Sequence, residues 1–543
     1  MYCKNFLIFT ILLSLFSCNT QKNEQDKKAE NKTISFAMTT EPNTMDPRAG
    51  RSLYFVQFIQ LLYEGLMRQD ASGRVVPAAA ESVSFTPDLK TYTFKLRDAK
   101  WSNGEPVTSY DFAYALKTQL QPDFPAPNVS QLYNIAGAKE AKEGLKALDE
   151  VGIETPDAKT LIIKLQNPHP YFLEIAASHI MFPVYQPSDK QYPNWPDGPA
   201  DKVITNGPFA LANWKHGHEI TLKKNPYYWN EENVLSNPLS FMVLDGNTSL
   251  QLFQQGQLDW IGSPLSMIQP EAIETLQHTG QLETAPAAGT YWLRVNTASF
   301  PLSNSKLRQA LSYAINRRQI VNHIVQGGNQ PATGIIPPSL TDYHEPYFID
   351  HDTVAARQLF QEALEELNLT IDNFPKITLY YGVDDFLHKI AQVIQEEWQK
   401  TFPVPSGTFV IQKLEPKILF EKVSHKDYQL ALGSWFADFR DPINFLDVFK
   451  TKQTSTNNTN WENPKYISLL ESADIERDPF QRKQILAEAE KLLISEMPVI
   501  PLYFASYRYA KNPFLQGTHI VDLGYMDLKE AYIGPSLETI ADE

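Results

Sequence analysis

The stretch GSWFADFRDP, from Gly433 to Pro442, places an aspartate inside an aromatic cluster at the end of an apolar run. Desolvating a carboxylate is costly unless a cation or several hydrogen-bond donors meet it. Asp438 therefore predicts a cationic partner. That partner is either Arg440, two residues further along, or a cation that arrives with a ligand, and the local sequence leaves both alternatives open.

A second candidate is His388, just beyond the predicted strand Ile377–Gly382 and near the start of the predicted helix Leu387–Phe402. Helix N-termini favour anions. Ligands of open α/β sheets bind beyond the carboxyl ends of strands, and Asp438 follows another predicted strand, Tyr428–Trp435. We expect an acid and an anion receptor at one sheet edge, although a surface histidine at a helix start explains His388 as well.

The elements that position these residues alternate between strand and helix after Gly289. The predicted order is strand Ile377–Gly382, helix Leu387–Phe402, strand Phe409–Leu414, helix Pro416–Ser424 and strand Tyr428–Trp435. Such alternation predicts right-handed crossovers and a largely parallel sheet.

Other elements are predicted from periodicity. Ser305–Val325 reads as one helix with an apolar face made by Leu307, Ala310, Leu311, Ala314 and Ile315. Ser109–Leu120 reads as a helix capped by Ser109. Predicted strands upstream are Thr91–Arg97, Thr160–Gln166 and Glu219–Asn225.

Composition excludes several classes of partner. A chain of 543 residues corresponds to roughly three to four structural units. The balance of 48 Lys and Arg against 63 Asp and Glu gives a net charge of −15. This charge argues against nucleic acid or an anionic membrane surface as the main partner.

Motifs for catalysis are missing from the sequence. It contains no GxxxxGK[ST], GxGxxG, GxSxG or HExxH. His216 and His218 would share a strand face, but a solvated face explains them better than a metal. We therefore expect no enzyme, no cofactor and no metal site.

The N-terminus predicts export. Lys4 precedes an apolar stretch, Phe6–Phe16, which is shorter than the roughly 18 residues needed to span a bilayer, so residues 1–17 read as a signal peptide. The end of this stretch, LFSC, resembles the lipobox of bacterial lipoproteins, in which the cysteine, here Cys18, is lipidated. The alternative is an ordinary secretion signal with an incidental cysteine.

Cysteine content favours lipidation. The only cysteines are Cys3 and Cys18, and Cys3 would leave with the signal peptide, so no intrachain disulfide remains. The polar residues 19–32 predict a disordered tether after Cys18. Beyond residue 32 no apolar stretch is long enough to span a membrane.

Several motifs in order resemble one family, the solute-binding proteins of peptide-importing ABC transporters. They are EPNTMDP (Glu41–Pro47), the segments Tyr63–Ser82 and Tyr92–Leu116, TNGPFAL (Thr205–Leu211), NPYYWN (Asn225–Asn230), Leu307–Val321 and SWFADFRDP (Ser434–Pro442). The resemblance covers about residues 34–510.

The resemblance implies an α/β fold of the periplasmic-binding-protein type, two-lobed and three-domain, with an interlobe ligand cleft. The implied parts are a first lobe from residues 33–63, 188–288 and 507–543, an inserted domain at 64–187, and an α/β lobe at 289–506. The signal peptide at 1–17 and the lipidated cysteine with its tether at 18–32 precede them.

The resemblance also implies the ligand contacts. An extended short peptide would pair through its backbone with Arg51, Ser52 and Leu53 on one side and with Ser434, Trp435 and Phe436 on the other. Asp438 would bind the peptide's α-ammonium group, which favours the ligand over Arg440 as its partner. Backbone pairing is indifferent to side chains.

Departures from the family pattern leave the ligand's length open. Positions that are basic in the family, where they meet the peptide's carboxylate, are Leu432, Val423 and Val325, and His388 is the retained one. A cysteine pair of some relatives falls on Gly289 and Phe436, where a large side chain packed on a glycine would replace the bridge.

The function implied is a lipid-anchored, monomeric receptor of the periplasm that delivers peptides to the permease subunits of an ABC importer. It would touch a membrane only through Cys18. Alternatives on the same fold are a receptor for a non-peptide ligand such as nickel or haem, or for cell-wall peptides. An alternative of another class is an envelope adhesin or chaperone-like protein, for which a large exposed apolar patch would be expected.

Overall fold

The computed structural model describes residues 32–50, 52–236, 238–343 and 345–534. Two large hydrophobic cores organise these residues. The first draws its buried side chains from Ile34 to Leu265 and from Leu515 to Ala531, and the second from Ala288 to Tyr503. In the part of the chain that is described, no helix combines the length and apolarity that a membrane crossing needs.

The strands up to residue 262 are β1 (Ile34–Met38), β2 (Met67–Gln69), β3 (Val75–Pro77), β4 (Ala80–Phe85), β5 (Thr91–Leu96), β6 (Ile153–Asp157), β7 (Thr160–Lys164), β8 (Phe209–Lys215), β9 (Glu219–Lys224), β10 (Leu239–Val243) and β11 (Trp260–Gly262). The helices of this part are α1 (Leu53–Leu62), α2 (Ser109–Gln119), α3 (Ala138–Lys142), α4 (Phe172–Ala176), α5 (Gln186–Gln191), α6 (Gly246–Gln254) and α7 (Pro270–His278).

The later strands are β12 (Leu282–Val295), β13 (Gln330–Pro331), β14 (Ile377–Gly382), β15 (Phe409–Leu414), β16 (Leu430–Phe436), β17 (Val499–Lys511), β18 (Leu515–Gln516), β19 (His519–Val521), β20 (Tyr525–Asp527) and β21 (Tyr532–Ile533). The later helices are α8 (Ser305–Tyr313), α9 (Arg317–Ile320), α10 (Thr353–Leu367), α11 (Asp385–Thr401), α12 (Pro416–Ser424), α13 (Ile443–Leu446), α14 (Pro464–Ile475) and α15 (Pro479–Glu496).

Within the described residues, one sheet runs through both cores in the order β15-β14-β16-β12-β17-β11-β1-β10-β9-β8, with β13 beside β17. Strands β14, β15 and β16 are parallel, as the alternation of strand and helix predicts. However, β16 is antiparallel to β12, and β12 is antiparallel to β17. The prediction of a largely parallel sheet is therefore wrong. The sheet is mixed because β12 enters before the alternating segment and β17 returns after it.

Strands β12 and β17 join the two cores. The end of β17 near Ala510 packs with the helices α6 and α7, whereas Tyr503 belongs to the second core. The register between the two strands shifts between Pro286 and Thr290, where regular pairing is interrupted. A weakened ladder at the crossing between two separately packed lobes is a site at which the lobes can bend relative to each other.

A separate unit, here called the small-sheet unit, comprises residues 80–181. Its sheet has the order β4-β5-β7-β6, and α2 and α4 pack with it in the first core. The predicted Ser109 cap of α2 is wrong, because the N-cap residue is Thr108. The backbone N–H and the hydroxyl of Thr108 both donate to Asp111, at 2.8 Å each.

The predicted helix Ser305–Val325 is interrupted. Helix α8 ends at Tyr313, and α9 begins at Arg317 after a cap in which Asn316 accepts from the Gln319 N–H at 2.9 Å. The break directs the buried Arg317 guanidinium to Asp350, at 3.2 Å, and to the carbonyl of Pro501. Periodicity identifies the apolar face, which is fully buried as predicted. It does not identify the break in the helix before the buried Arg317.

Candidate functional site

A cavity of about 280 Å³ opens where the two cores and the small-sheet unit meet. Its walls come from α1, from the small-sheet unit, from the end of β16 and from the segment before β20. Leu53, Glu174, Phe436, Asp438 and Tyr525 line it. A smaller cavity of about 40 Å³ lies around Glu64 and Arg68, which is little more than the liquid volume of one water molecule, about 30 Å³.

Asp438 lies two residues beyond the end of β16, in the wall of the larger cavity. Its carboxylate is reached by solvent inside the cavity, yet protein surrounds it on most sides. This burial raises the pKa of Asp438, and a hydrogen bond with the side chain of Asn444 opposes the rise. Among the described residues Asp438 forms no ion pair, so none of their cations compensates its charge.

Arg440 is committed elsewhere. Its Nε donates to the carboxylate of Asp522 at 3.1 Å, and its two terminal nitrogens donate to the carbonyls of Gly73 at 2.6 Å and Ser339 at 2.9 Å. The intrachain alternative for Asp438 is therefore contradicted, because the guanidinium turns away from it. Arg440 instead fastens the end of β16 to the segment around Asp522.

Strand β16 has an unpaired edge beside Asp438. Its pairing with β14 is limited to Leu430 and Ala431, whereas its pairing with β12 continues to Phe436. The N–H of Ala437 donates to the carbonyl of Ala288 at 2.8 Å. In an antiparallel ladder this bond means that Phe436, and by alternation Ser434, directs its backbone groups away from β12. Both residues thus present backbone groups at an open strand edge.

The other predicted segment reaches the same cavity through Leu53. Ser52 caps α1 by accepting from the N–H of Phe55 at 3.2 Å, and Leu53 is 40% exposed in the cavity wall. Arg51 and Cys18 lie outside the described residues. The structure therefore brings Leu53, Phe436 and Asp438 to one cavity.

Two predicted contact residues are placed differently. Trp435 donates its indole N–H to Asn444 at 2.9 Å and does not line the cavity, and by the same alternation its backbone groups point towards β12 rather than to the open edge. His388 does not line the cavity that holds Asp438. Its Nδ1 lies 2.5 Å from the hydroxyl of Tyr381, at the end of β14.

The sequence reasoning missed Glu174 and Gln69. Glu174 is on α4, and burial raises its pKa to about 7. The amide of Gln69 donates to it at 3.4 Å, and Gln69 accepts from the hydroxyl of Tyr525 at 3.2 Å. No local signal marks this group, because Gln69, Glu174 and Tyr525 come from three distant parts of the chain.

Arg294 was also missed. It is on β12, and its guanidinium lies over Gly433, where a Cβ would approach it to 1.4 Å. It donates to the carbonyl of Ser434 at 3.3 Å, at the open edge of β16. An arginine inside the apolar run WLRV was a signal that could have found it.

The chemistry that this arrangement offers is recognition. A carboxylate without an internal cation can hold an ammonium group, and an open strand edge can pair with an extended backbone. Over the residues that the structure describes, no group of three or more His, Cys, Asp or Glu side chains is placed to hold a metal ion.

A two-lobed α/β fold whose lobes enclose such a cavity defines a class of proteins, the solute-binding proteins. The chain belongs to the bacterial extracellular solute-binding proteins, family 5, because the model of the middle region of that family matches residues 74–457.

Individual relatives agree with this assignment. The oligopeptide-binding protein OppA of Bacillus subtilis is 37% identical over 535 residues, which is 97% of this chain and 98% of the relative. The fold resembles the unliganded open form of the periplasmic murein tripeptide-binding protein MppA, with a TM-score of 0.80, 26% identity, and coverage of 93% of this chain and 98% of that one. It also resembles Haemophilus influenzae OppA in complex with the peptide RPPGFSPFR, with a TM-score of 0.74, 25% identity, and coverage of 93% and 99%.

Proposed function

We propose that this protein binds short peptides between its lobes and delivers them to the permease subunits of an ABC importer. The observation that carries the proposal is the uncompensated carboxylate of Asp438, in a cavity wall beside the open edge of β16. The α-ammonium group of a peptide supplies the missing cation.

The energetics favour a ligand that brings its own charge. A carboxylate that protein surrounds on most sides without a cationic partner is unfavourable even where solvent still reaches it, and its raised pKa expresses that cost. An ammonium group from the ligand neutralises it when the lobes close and exclude water. Phe439, which stacks on Tyr171 of the small-sheet unit with ring centroids 5.3 Å apart, adds apolar cover next to the carboxylate. Lower local polarity strengthens the pair.

Backbone pairing supplies affinity without selecting side chains. Ser434 and Phe436 present backbone groups at the open edge of β16, and Leu53 at the start of α1 lines the same cavity as Phe436. An extended peptide would add a strand at this edge. Relatives of this chain are named as binders of oligopeptides and of a murein tripeptide, which supports a peptide ligand here.

The organisation of the chain fits this function. We assign the first lobe to residues 33–63, 188–288 and 507–543, the inserted domain to 64–187, and the second lobe to 289–506. Cys18 would anchor a monomer to a membrane of the cell envelope, with residues 19–32 as the tether. The capture site then stays within reach of the permease.

The test compares Asp438→Asn with the wild type, using a free and an N-acetylated short peptide in calorimetry. Removing one member of a buried charge pair costs about 2–5 kcal/mol, which is about thirtyfold to several thousandfold in Kd. Acetylation should cost the wild type a similar amount and the variant little more, because both changes remove the same interaction. Asp427→Asn is the matched control, since Asp427 is a 76% exposed carboxylate of the same lobe.

Purely additive losses would contradict the ammonium assignment. Absence of binding to any peptide of a mixed library would contradict the peptide itself. In that case mass spectrometry of small molecules that copurify with the native protein identifies the alternative, such as a metal chelate or haem.

A further inference from the structure

We propose that the cavity beyond Asp438 is a subsite for a cationic side chain on the first residue of the ligand, with Glu174 as its acceptor. This inference rests on the proposed function and adds a substrate class to it, namely peptides that begin with a basic residue.

The described part of the lining is rich in hydrogen-bond acceptors. Two carboxylates, Asp438 and Glu174, face the cavity, and none of the described lining residues is a lysine or an arginine. Gln131 also lines it, and its Oε1 is buried without any hydrogen-bond donor among the described residues. One carboxylate suffices for an α-ammonium group, so the second carboxylate is left for another donor.

The groups around Glu174 leave it available. Its hydrogen bond from Gln69, at 3.4 Å, is long, so most of its acceptor capacity is unused. The positive charge of Arg440 lowers the pKa of Glu174 from a distance. However, the Arg440 guanidinium donates its hydrogen bonds to Asp522 and to two backbone carbonyls, not to Glu174. Asp441, whose charge also reaches Glu174, is paired with Arg482 at 2.7 Å.

The histidine of the wall does not supply a positive charge. His179 lines the cavity, and burial lowers its pKa to about 4, so it is neutral at physiological pH. Burial without a paired cation raises the pKa of Glu174 to about 7. A bound lysine or arginine side chain would stabilise the ionised carboxylate and lower this pKa again.

The geometry connects the two carboxylates through one ligand residue. If Asp438 holds the α-ammonium group, the side chain of the same residue starts next to the cavity wall. The cavity of about 280 Å³ equals the liquid volume of about nine water molecules, at about 30 Å³ each. A lysine side chain that starts at Asp438 would extend into this space, whose wall includes Glu174.

The test is calorimetry at pH 8 with three tripeptides of matched size: Lys-Ala-Ala, norleucine-Ala-Ala and Ala-Lys-Ala. We expect Lys-Ala-Ala to bind about ten- to hundredfold more tightly than either of the others, the range typical of hydrogen bonds to a charged group. Glu174→Gln should abolish this preference and leave the affinity for norleucine-Ala-Ala nearly unchanged. Asp149→Asn removes one charge from a 99% exposed site of the small-sheet unit and should keep the preference.

The outcomes separate the two proposals. If no peptide binds the wild type, the proposed function fails. If peptides bind but Lys-Ala-Ala and Ala-Lys-Ala bind equally, only the subsite fails, since a general attraction to the net charge of −15 explains equal affinity. A preference that survives in Glu174→Gln overturns the role of Glu174. Should that variant fail to fold, the two positional isomers on the wild type still decide whether the subsite exists.

Discussion

Phe436 on β16 lies directly over Gly289 on β12. The two residues are partners in the antiparallel register, and a Cβ on Gly289 would approach Cδ1 and Cε1 of the phenyl ring to 2.4 Å. The ring also meets Tyr291 edge to face, with centroids 5.9 Å apart. Packing of a large side chain on a glycine thus joins the two strands beside the cavity, as the sequence predicted.

Gly289→Ala should displace this ring. Overpacking of this kind costs about 1–3 kcal/mol of unfolding free energy. Because Phe436 also lines the cavity, peptide affinity should fall as well. Urea unfolding and calorimetry measure the two effects. Gly382→Ala is the matched control, since an added Cβ there meets its nearest atom at 3.6 Å. Equal stability of the two variants would show that the ring is free to move.

Glu490 on α15 is a buried carboxylate that stabilises the fold through hydrogen bonds. It accepts hydrogen bonds from the N–H groups of Ile335, at 2.6 Å, and Ile336, at 2.9 Å, and from the hydroxyl of Tyr347, at 2.8 Å. Glu490→Ala leaves two buried amides unpaired and should cost about 2–4 kcal/mol in urea unfolding. Glu490→Gln keeps an acceptor and should cost less. Glu488→Ala, at a 55% exposed position of the same helix, should stay within about 0.5 kcal/mol of the wild type.

The same residue predicts a pH dependence of stability. Burial raises the pKa of Glu490 from 4.5 in the unfolded chain to about 7 in the folded protein. The folded state therefore holds the proton more tightly, and its stabilising contribution is complete below pH 4.5 and is lost as the pH rises through 7. The difference in pKa corresponds to about 3 kcal/mol. The unfolding free energy of the wild type, measured at several pH values, should fall through this range, whereas that of Glu490→Gln should not show this fall. If the wild type and the variant depend on pH in the same way, the assignment to Glu490 is contradicted.

Peptide binding should make the protein more compact. The lobes are joined by β12 and β17, whose register is interrupted between Pro286 and Thr290, so closure needs rotation at few residues. A compact chain of this length has a radius of gyration of about 24 Å. Small-angle scattering with saturating peptide should give a value that moves towards this one. Asp438→Asn at the same peptide concentration is the control, and an unchanged radius with proven binding would exclude closure.

Cys18→Ser should release the protein from the membrane fraction of the cell envelope. Each buried CH₂ of a lipid chain contributes about 0.8 kcal/mol, and stable anchoring needs more than one chain, which lipoprotein modification supplies. Immunoblots of membrane and soluble envelope fractions measure the shift. Cys3→Ser, within the predicted signal peptide, should leave the distribution as in the wild type. Identical fractionation of the two variants would speak for another anchor.

The sequence by itself determined the local elements of the α/β lobe. β14, β15 and α12 have the predicted bounds, because alternation of apolar residues and flanking Pro or Gly report local burial and chain breaks. It also identified Asp438 as a candidate, because an acidic residue at the end of an apolar strand is unusual whatever the strand packs against.

The antiparallel direction of β12 and β17 could not be predicted from the sequence, because pairing between strands far apart in the chain leaves no local periodicity.

Only the tertiary structure decided the partners of the candidate site. Arg440 is two residues from Asp438 but pairs with Asp522, because the chain turns after β16 and places the two side chains on different sides. Gln69 meets Tyr525 across a separation of 456 residues, and Glu174 joins them from the small-sheet unit. The reason is physical: composition and spacing record which groups must be buried or charged, whereas the identity of a group's neighbours depends on how separate surfaces close around one cavity.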